Sequence, residues 1–90
     1  MANMFYTYVL QSKKDGQWYT GATNDLQKRF KEHNEGKVPA TKDKGPFQLI
    51  YFEACLSKDD AFARERYLKT GMGKRYIKNR LKRFFSSRTL

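Results

Sequence analysis

Residues 5–33 read FYTYVLQSKKDGQWYTGATNDLQKRFKEH, and this stretch decides the fold. Phe5, Tyr6, Thr7, Tyr8, Val9 and Leu10 are aromatic, β-branched or aliphatic side chains in unbroken succession, which predicts a strand over Met4–Gln11. Lys13-Lys14-Asp15-Gly16 follows as a turn, Asp-Gly being a dipeptide that readily adopts the positive φ of tight hairpins. Trp18, Tyr19 and Thr20 then resume an extended pattern that ends near Gly21, so the two segments pair as an antiparallel hairpin. Thr23-Asn24-Asp25 offers capping oxygens, and Gln27 stands three residues after Asn24 in the manner of a capping box. A helix is predicted from there to about Glu35, with Gly36 as its stop.

The rest of the chain extends this pattern. Residues 37–46 read as a mostly polar loop carrying Lys37, Lys42 and Lys44, with Pro39 near its start and Gly45-Pro46 closing it. FQLIYFEAC, residues 47–55, is a third strand. Ser57 with Asp60 three later caps a second helix that runs to about Lys69, and Gly71 and Gly73 are expected to break it. Lys74–Phe85 then reads as a third helix, with Ile77, Leu81, Phe84 and Phe85 at the spacing of one helical face. The order β-β-α-β-α-α predicts an α+β fold, a three-stranded antiparallel sheet flanked by helices. Residues 1–85 form a single domain in this reading, and Ser86–Leu90 fray as a tail.

Composition narrows the function. Ninety residues support one core, and a 39% hydrophobic, 16% aromatic composition is enough to build it. No apolar run approaches the roughly 20 residues of a helical membrane span, and no secretory signal is expected at the N-terminus. The single cysteine, Cys55, excludes an internal disulfide and a multi-cysteine zinc site, and a cytoplasmic setting is expected. Of the net charge of +10, residues 69–90 supply eight bases and no acid. That concentration of like charge opposes folding and favours a polyanionic partner, because neutralised phosphates release counterions. Lys74, Arg75, Lys78, Lys82 and Arg83 are the expected nucleic-acid-binding side chains. A membrane partner is not expected, since the apolar face of the last helix is needed for the core, and no obligate protein partner is evident.

Five side chains fit chemistry as well as structure. Ala61, Phe62 and Leu68 mark the apolar arc of the second helix, and Glu65 falls within it. A carboxylate there is costly unless it sits at the rim, is paired or binds a metal. On the first helix Leu26 and Phe30 mark the inner face, with Arg29 and His33 four residues apart beside them. Tyr6 and Tyr8 share a face of the first strand, and Tyr19 lies on the second. Two of these tyrosines, an arginine, a histidine and a carboxylate suit phosphodiester cleavage. The carboxylate holds a hard divalent cation that keeps several waters, arginine answers charge developing on phosphoryl oxygens, and tyrosine or histidine takes a proton from water.

The same residues carry a family resemblance. Tyr6-Thr7-Tyr8 and Tyr19-Thr20-Gly21, with the interval between them, resemble the paired signatures of the GIY-YIG nuclease domain, and in particular its small stand-alone bacterial YhbQ-like group. The Gly-Ile of the first signature is Tyr6-Thr7 here. The resemblance implies a DNA endonuclease dependent on a single Mg²⁺ or Mn²⁺ ion, with branched or damaged DNA among its substrates. It assigns Glu65 to the metal, Arg29 to transition-state stabilisation, and Tyr8 or Tyr19, aided by His33, to the attacking water. Gly21 would allow a close backbone approach, and Asn79 is the one candidate for a further site asparagine in the last helix. The rival reading is a non-catalytic nucleic-acid-binding module that keeps the fold. A scaffold that recruits protein partners through exposed aromatics is the third.

Overall fold

A computed structural model of the chain describes residues 3–87. Strands β1 (Phe5–Ser12), β2 (Trp18–Thr23) and β3 (Phe47–Cys55) form one antiparallel sheet in the order β2-β1-β3. Tyr8 lies opposite Gly21 on one side and Phe52 on the other, and a bulge between Val9 and Leu10 shifts the β3 register. As the central strand, β1 carries the core on both faces. Tyr8 and Leu10 pack with Phe47 on one face, joined by Tyr19, Leu49 and, from helix α1 (Leu26–Asn34), Leu26 and Phe30. Val9 packs on the other with Leu68 of α2 (Lys58–Leu68) and Ile77 of α3 (Gly71–Arg80). Burying these side chains is the main stabilising force, about 1.5–3 kcal/mol for each large aliphatic one fully removed from water.

Three expectations need correction. The cap of α1 is Asp25, whose carboxylate accepts from the Lys28 N–H, and not Asn24. Asn24 and Asp25 are equally good capping types, and the helix begins one residue later than the capping box implied. Gly71 and Gly73 do not separate the helices but lie inside the first turn of α3, which Thr70 caps through the Gly73 N–H. Gly73 is there for closeness: a Cβ would lie 2.8 Å from the Leu68 carbonyl carbon and overlap the Tyr67 carbonyl. Finally, the Lys74–Phe85 helix is two elements, because the chain leaves α3 at Leu81 and turns into α4 (Lys82–Ser87). Ser86 and Ser87 belong to α4, and residues 88–90 of the expected frayed tail lie outside the described residues.

The loop between α1 and β3 is more structured than its composition suggests. It contains a short 3₁₀ turn, Pro39–Thr41, and buries Val38 and Thr41. Its end is tied to β1, where the Ser12 hydroxyl donates to the Lys44 carbonyl at 2.7 Å. Asn34 accepts from the Phe47 N–H at 2.7 Å and joins the end of α1 to the start of β3. Across the sheet, the buried Thr7 hydroxyl donates to the Ala61 carbonyl at 2.9 Å and fixes α2 against β1.

Candidate active site

Strand β2 pairs only with β1, so its outer edge is unpaired. An open cavity of about 540 Å³ runs along that edge, lined by the five consecutive residues Trp18–Ala22. Helix α1 contributes Arg29 and His33 to its wall, and α2 and the start of α3 contribute Phe62, Glu65, Lys69 and Lys74. Tyr8 reaches the same cavity from β1. Tyr8, Tyr19, Arg29, His33 and Glu65, drawn from residues 8 to 65 of the chain, therefore meet in one place.

Tyr8 reaches the cleft because residue 21 has no side chain. A Cβ on Gly21 would overlap the Tyr8 hydroxyl and lie 2.6 Å from Cζ, so the ring crosses directly over the β2 backbone. The Tyr8 hydroxyl lies 2.8 Å from His33 Nε2, and His33 Nδ1 lies 2.7 Å from the Thr41 hydroxyl. Tyr8, His33 and Thr41 are only 3%, 6% and 3% exposed. The imidazole is further held edge-on by the Tyr8 and Phe47 rings. Burial pushes the Tyr8 hydroxyl above its ordinary value of 10.0, with the Arg29 guanidinium pulling it down. Burial, and then the charge of Arg29, pushes His33 below its ordinary 6.5, while Glu32 opposes. The resting proton distribution is a neutral tyrosine against a neutral histidine.

The other walls are wetter. Arg29 makes one ion pair, to Glu32 at 3.4 Å, and Tyr8 and Glu32 keep its guanidinium firmly protonated. The Tyr19 hydroxyl donates to the Gln17 side chain at 3.3 Å and does not join the Tyr8–His33 pair. The Glu65 carboxylate is 19% exposed and pairs with the more exposed Lys69 at 3.0 Å. No group of three or more His, Cys, Asp or Glu side chains that could hold a metal occurs among the described residues. A carboxylate in an open cavity, with a largely exposed lysine as its counter-ion, still fits a hard divalent cation. Such a cation keeps most of its waters and takes further oxygens from a phosphate.

The expected basic surface divides. Lys74 lines the cleft, Arg75 and Asn79 line a separate groove with Met72 and Tyr76, and Lys82 and Arg83 lie around the α3–α4 turn. Lys78 is exposed on α3. Asn79 thus stands outside the cleft. Phe62, expected on the apolar arc, is instead 39% exposed at the cleft mouth. Sequence reading missed Thr41, Glu32, Lys69 and Trp18. Helical spacing could have found two, since Glu32 follows Arg29 by three and Lys69 follows Glu65 by four. Nothing periodic marks Thr41, which the loop brings to His33.

Comparison with known proteins agrees with this architecture. Residues 4–77 match the family described as the GIY-YIG catalytic domain. A UPF0213 protein of Clostridium perfringens is 46% identical over 67 residues, 73% of this chain and 71% of that protein. The UPF0213 protein YazA of Bacillus subtilis is 44% identical over 68 residues, 74% of this chain and 68% of that protein. The solution NMR structure of a UPF0213 protein from Bacillus halodurans superposes with a TM-score of 0.52 at 38% identity, covering 82% of this chain and 81% of that one. No helix among the described residues is long and apolar enough to cross a membrane. The chain belongs to the GIY-YIG catalytic domain family, a nuclease superfamily whose members generally use divalent metals, and it shares their three-stranded sheet flanked by helices.

Proposed function

We propose that this protein is a metal-dependent endonuclease that hydrolyses DNA phosphodiester bonds in the cleft along β2. The observation that carries the reading is one cavity lined by the Tyr8–His33 pair and Arg29 on one side and by the Glu65 carboxylate on the other. Arg29 would receive the scissile phosphate and stabilise the charge that grows on its oxygens. Lys69 and Lys74 add positive charge to the same cleft and draw in the flanking backbone.

Tyr8 is the favoured proton acceptor, because its hydroxyl has a base in contact and that of Tyr19 has none. As water attacks phosphorus, its proton passes to the Tyr8 oxygen while the Tyr8 proton passes to His33 Nε2. This transfer is uphill in the resting site, where burial and Arg29 both disfavour an imidazolium. A phosphate bound to Arg29 offsets that charge and makes His33 a better base at the moment it is needed. Glu65 would hold Mg²⁺ or Mn²⁺, which when bound polarises the phosphate and neutralises the departing oxygen.

The test is incubation of the protein with labelled single-stranded, duplex, nicked, flap and branched DNA in Mg²⁺, Mn²⁺ or EDTA. Cutting of at least one substrate, dependent on the metal, is the expected result. Binding without cutting under every condition would favour the non-catalytic module.

A further inference from the structure

We infer that Thr41 is a positioning residue: its hydroxyl accepts the Nδ1 proton of His33 and thereby keeps the Nε2 lone pair turned to Tyr8. Its consequence for catalysis rests on the nuclease reading above; its tautomer claim does not. The two short contacts on His33 leave only two neutral arrangements, one with the proton on Nδ1 and one with it on Nε2. The chemistry of the two hydroxyls selects between them. A phenol is a stronger donor and a weaker acceptor than the aliphatic hydroxyl of a threonine. The Tyr8 proton is therefore directed to His33 Nε2, 2.8 Å away, which is bare. The imidazole proton is left on Nδ1, where the Thr41 oxygen accepts it at 2.7 Å.

The loop is built to hold that oxygen still. The Thr41 N–H donates to the Val38 carbonyl at 3.0 Å, and its own carbonyl accepts from the Lys44 N–H at 3.0 Å. Ser12 fastens the Lys44 carbonyl to β1. Thr41 is thus constrained on both sides of its Cα, and its side chain is 3% exposed. Water has little access to replace it. A histidine with a bare Nε2 against a phenol is arranged to withdraw the phenolic proton; the opposite tautomer would donate to the oxygen and block that step.

His33 is the only histidine of the chain, so long-range ¹H–¹⁵N correlation of the imidazole in an untagged, labelled sample needs no assignment. The expected wild-type spectrum has a protonated Nδ1 and a bare Nε2. Thr41→Ser retains it. Thr41→Val, matched in shape but without the hydroxyl, loses it in favour of Nε2–H. On a cleaved substrate, Thr41→Val lowers kcat by on the order of tenfold with KM unchanged, and Thr41→Ser recovers it. A wild-type spectrum with Nε2 protonated overturns the inference, as does an unchanged spectrum in Thr41→Val. Should Thr41→Val fail to fold, the wild-type spectrum alone decides. If the wild type cuts no DNA, only the catalytic consequence is overturned, and the ring nitrogens still test the tautomer.

Discussion

Arg64 and Glu65 are consecutive on α2, yet one turns toward the β3 side of the sheet and the other toward the β2 edge. Arg64 Nε donates to both oxygens of Glu53 at 3.1 and 3.0 Å, and the Tyr51 hydroxyl donates to the same carboxylate at 3.0 Å. The guanidinium also lies over the Tyr67 and Tyr76 rings, 5.1 and 4.8 Å from their centroids. Burial, with hydrogen bonds to Tyr76 and Glu53, pushes the Tyr51 hydroxyl far above its ordinary range, so it stays a donor at any working pH. Glu65, by contrast, has one ionic partner on a flexible, largely hydrated lysine. The first carboxylate is bonded at both oxygens by groups of the sheet and of α2, and it braces the fold. The second has a counter-ion that a stronger cation can displace. One helix serves both ends because a step of about 100° per residue sends neighbours to different surfaces.

The sharpest test of that contrast exchanges a carboxylate for an amide in each cluster. Glu65→Gln should reduce metal-dependent cleavage by about a hundredfold or more. Because an i,i+4 pair with a largely hydrated lysine is worth only about 0.3–0.5 kcal/mol, the variant should melt within about 4 °C of the wild type. Glu53→Gln should do the reverse: a melting temperature lower by roughly 4–8 °C, as for a loss of about 1 kcal/mol in a partly hydrated pair, with kcat unchanged. Equal cutting by Glu65→Gln, or loss of cutting in Glu53→Gln, would break the comparison.

Gly21→Ala is expected to have the next largest effect. The new methyl overlaps the Tyr8 hydroxyl, and overpacking of this kind costs about 1–3 kcal/mol. Thermal melts and cleavage assays should both fall, and the Tyr8–His33 contact should loosen. Normal stability with normal cutting would show that the ring does not need its place over β2.

Much of the fold was legible because neighbouring residues encode it. Aromatic and β-branched runs marked all three strands, and the third was read to its ends, Phe47–Cys55. The helix breaks were less legible. Gly71 and Gly73 look like breakers, but Gly73 is selected by the crowding of α2 against α3, a tertiary cause with no local signal. At the cleft, helical spacing pointed to Arg29, His33 and Glu65 one helix at a time. That these side chains meet depends on the sheet order and on the fastening of α2 by Thr7, which periodicity does not encode. Thr41 was hidden most deeply: it is one polar residue in a polar loop, distinguished only by the partner it meets.

The smallest expected effect concerns acidity. His33 is held below its ordinary 6.5 in the folded chain, so the unfolded chain binds its proton first as pH falls. The stability due to this residue is complete above about 6.5 and is lost progressively below it, toward the depressed folded value. Urea midpoints measured between pH 7.5 and 5 should decline, and the decline should be shallower in His33→Gln, which has no imidazole to titrate. Identical slopes for the two chains would show that the histidine accepts a proton in place, making its site wetter than the dry wall contrasted with Glu65.

Trp18, the only tryptophan in the chain, lines the cleft and stacks on Phe85 of α4 with centroids 5.4 Å apart. The molecule therefore carries its own optical probe. Indole emission reports from one wall of the cavity and from nowhere else, so the arrival of a cation or an oligonucleotide can be followed by light without attaching a dye.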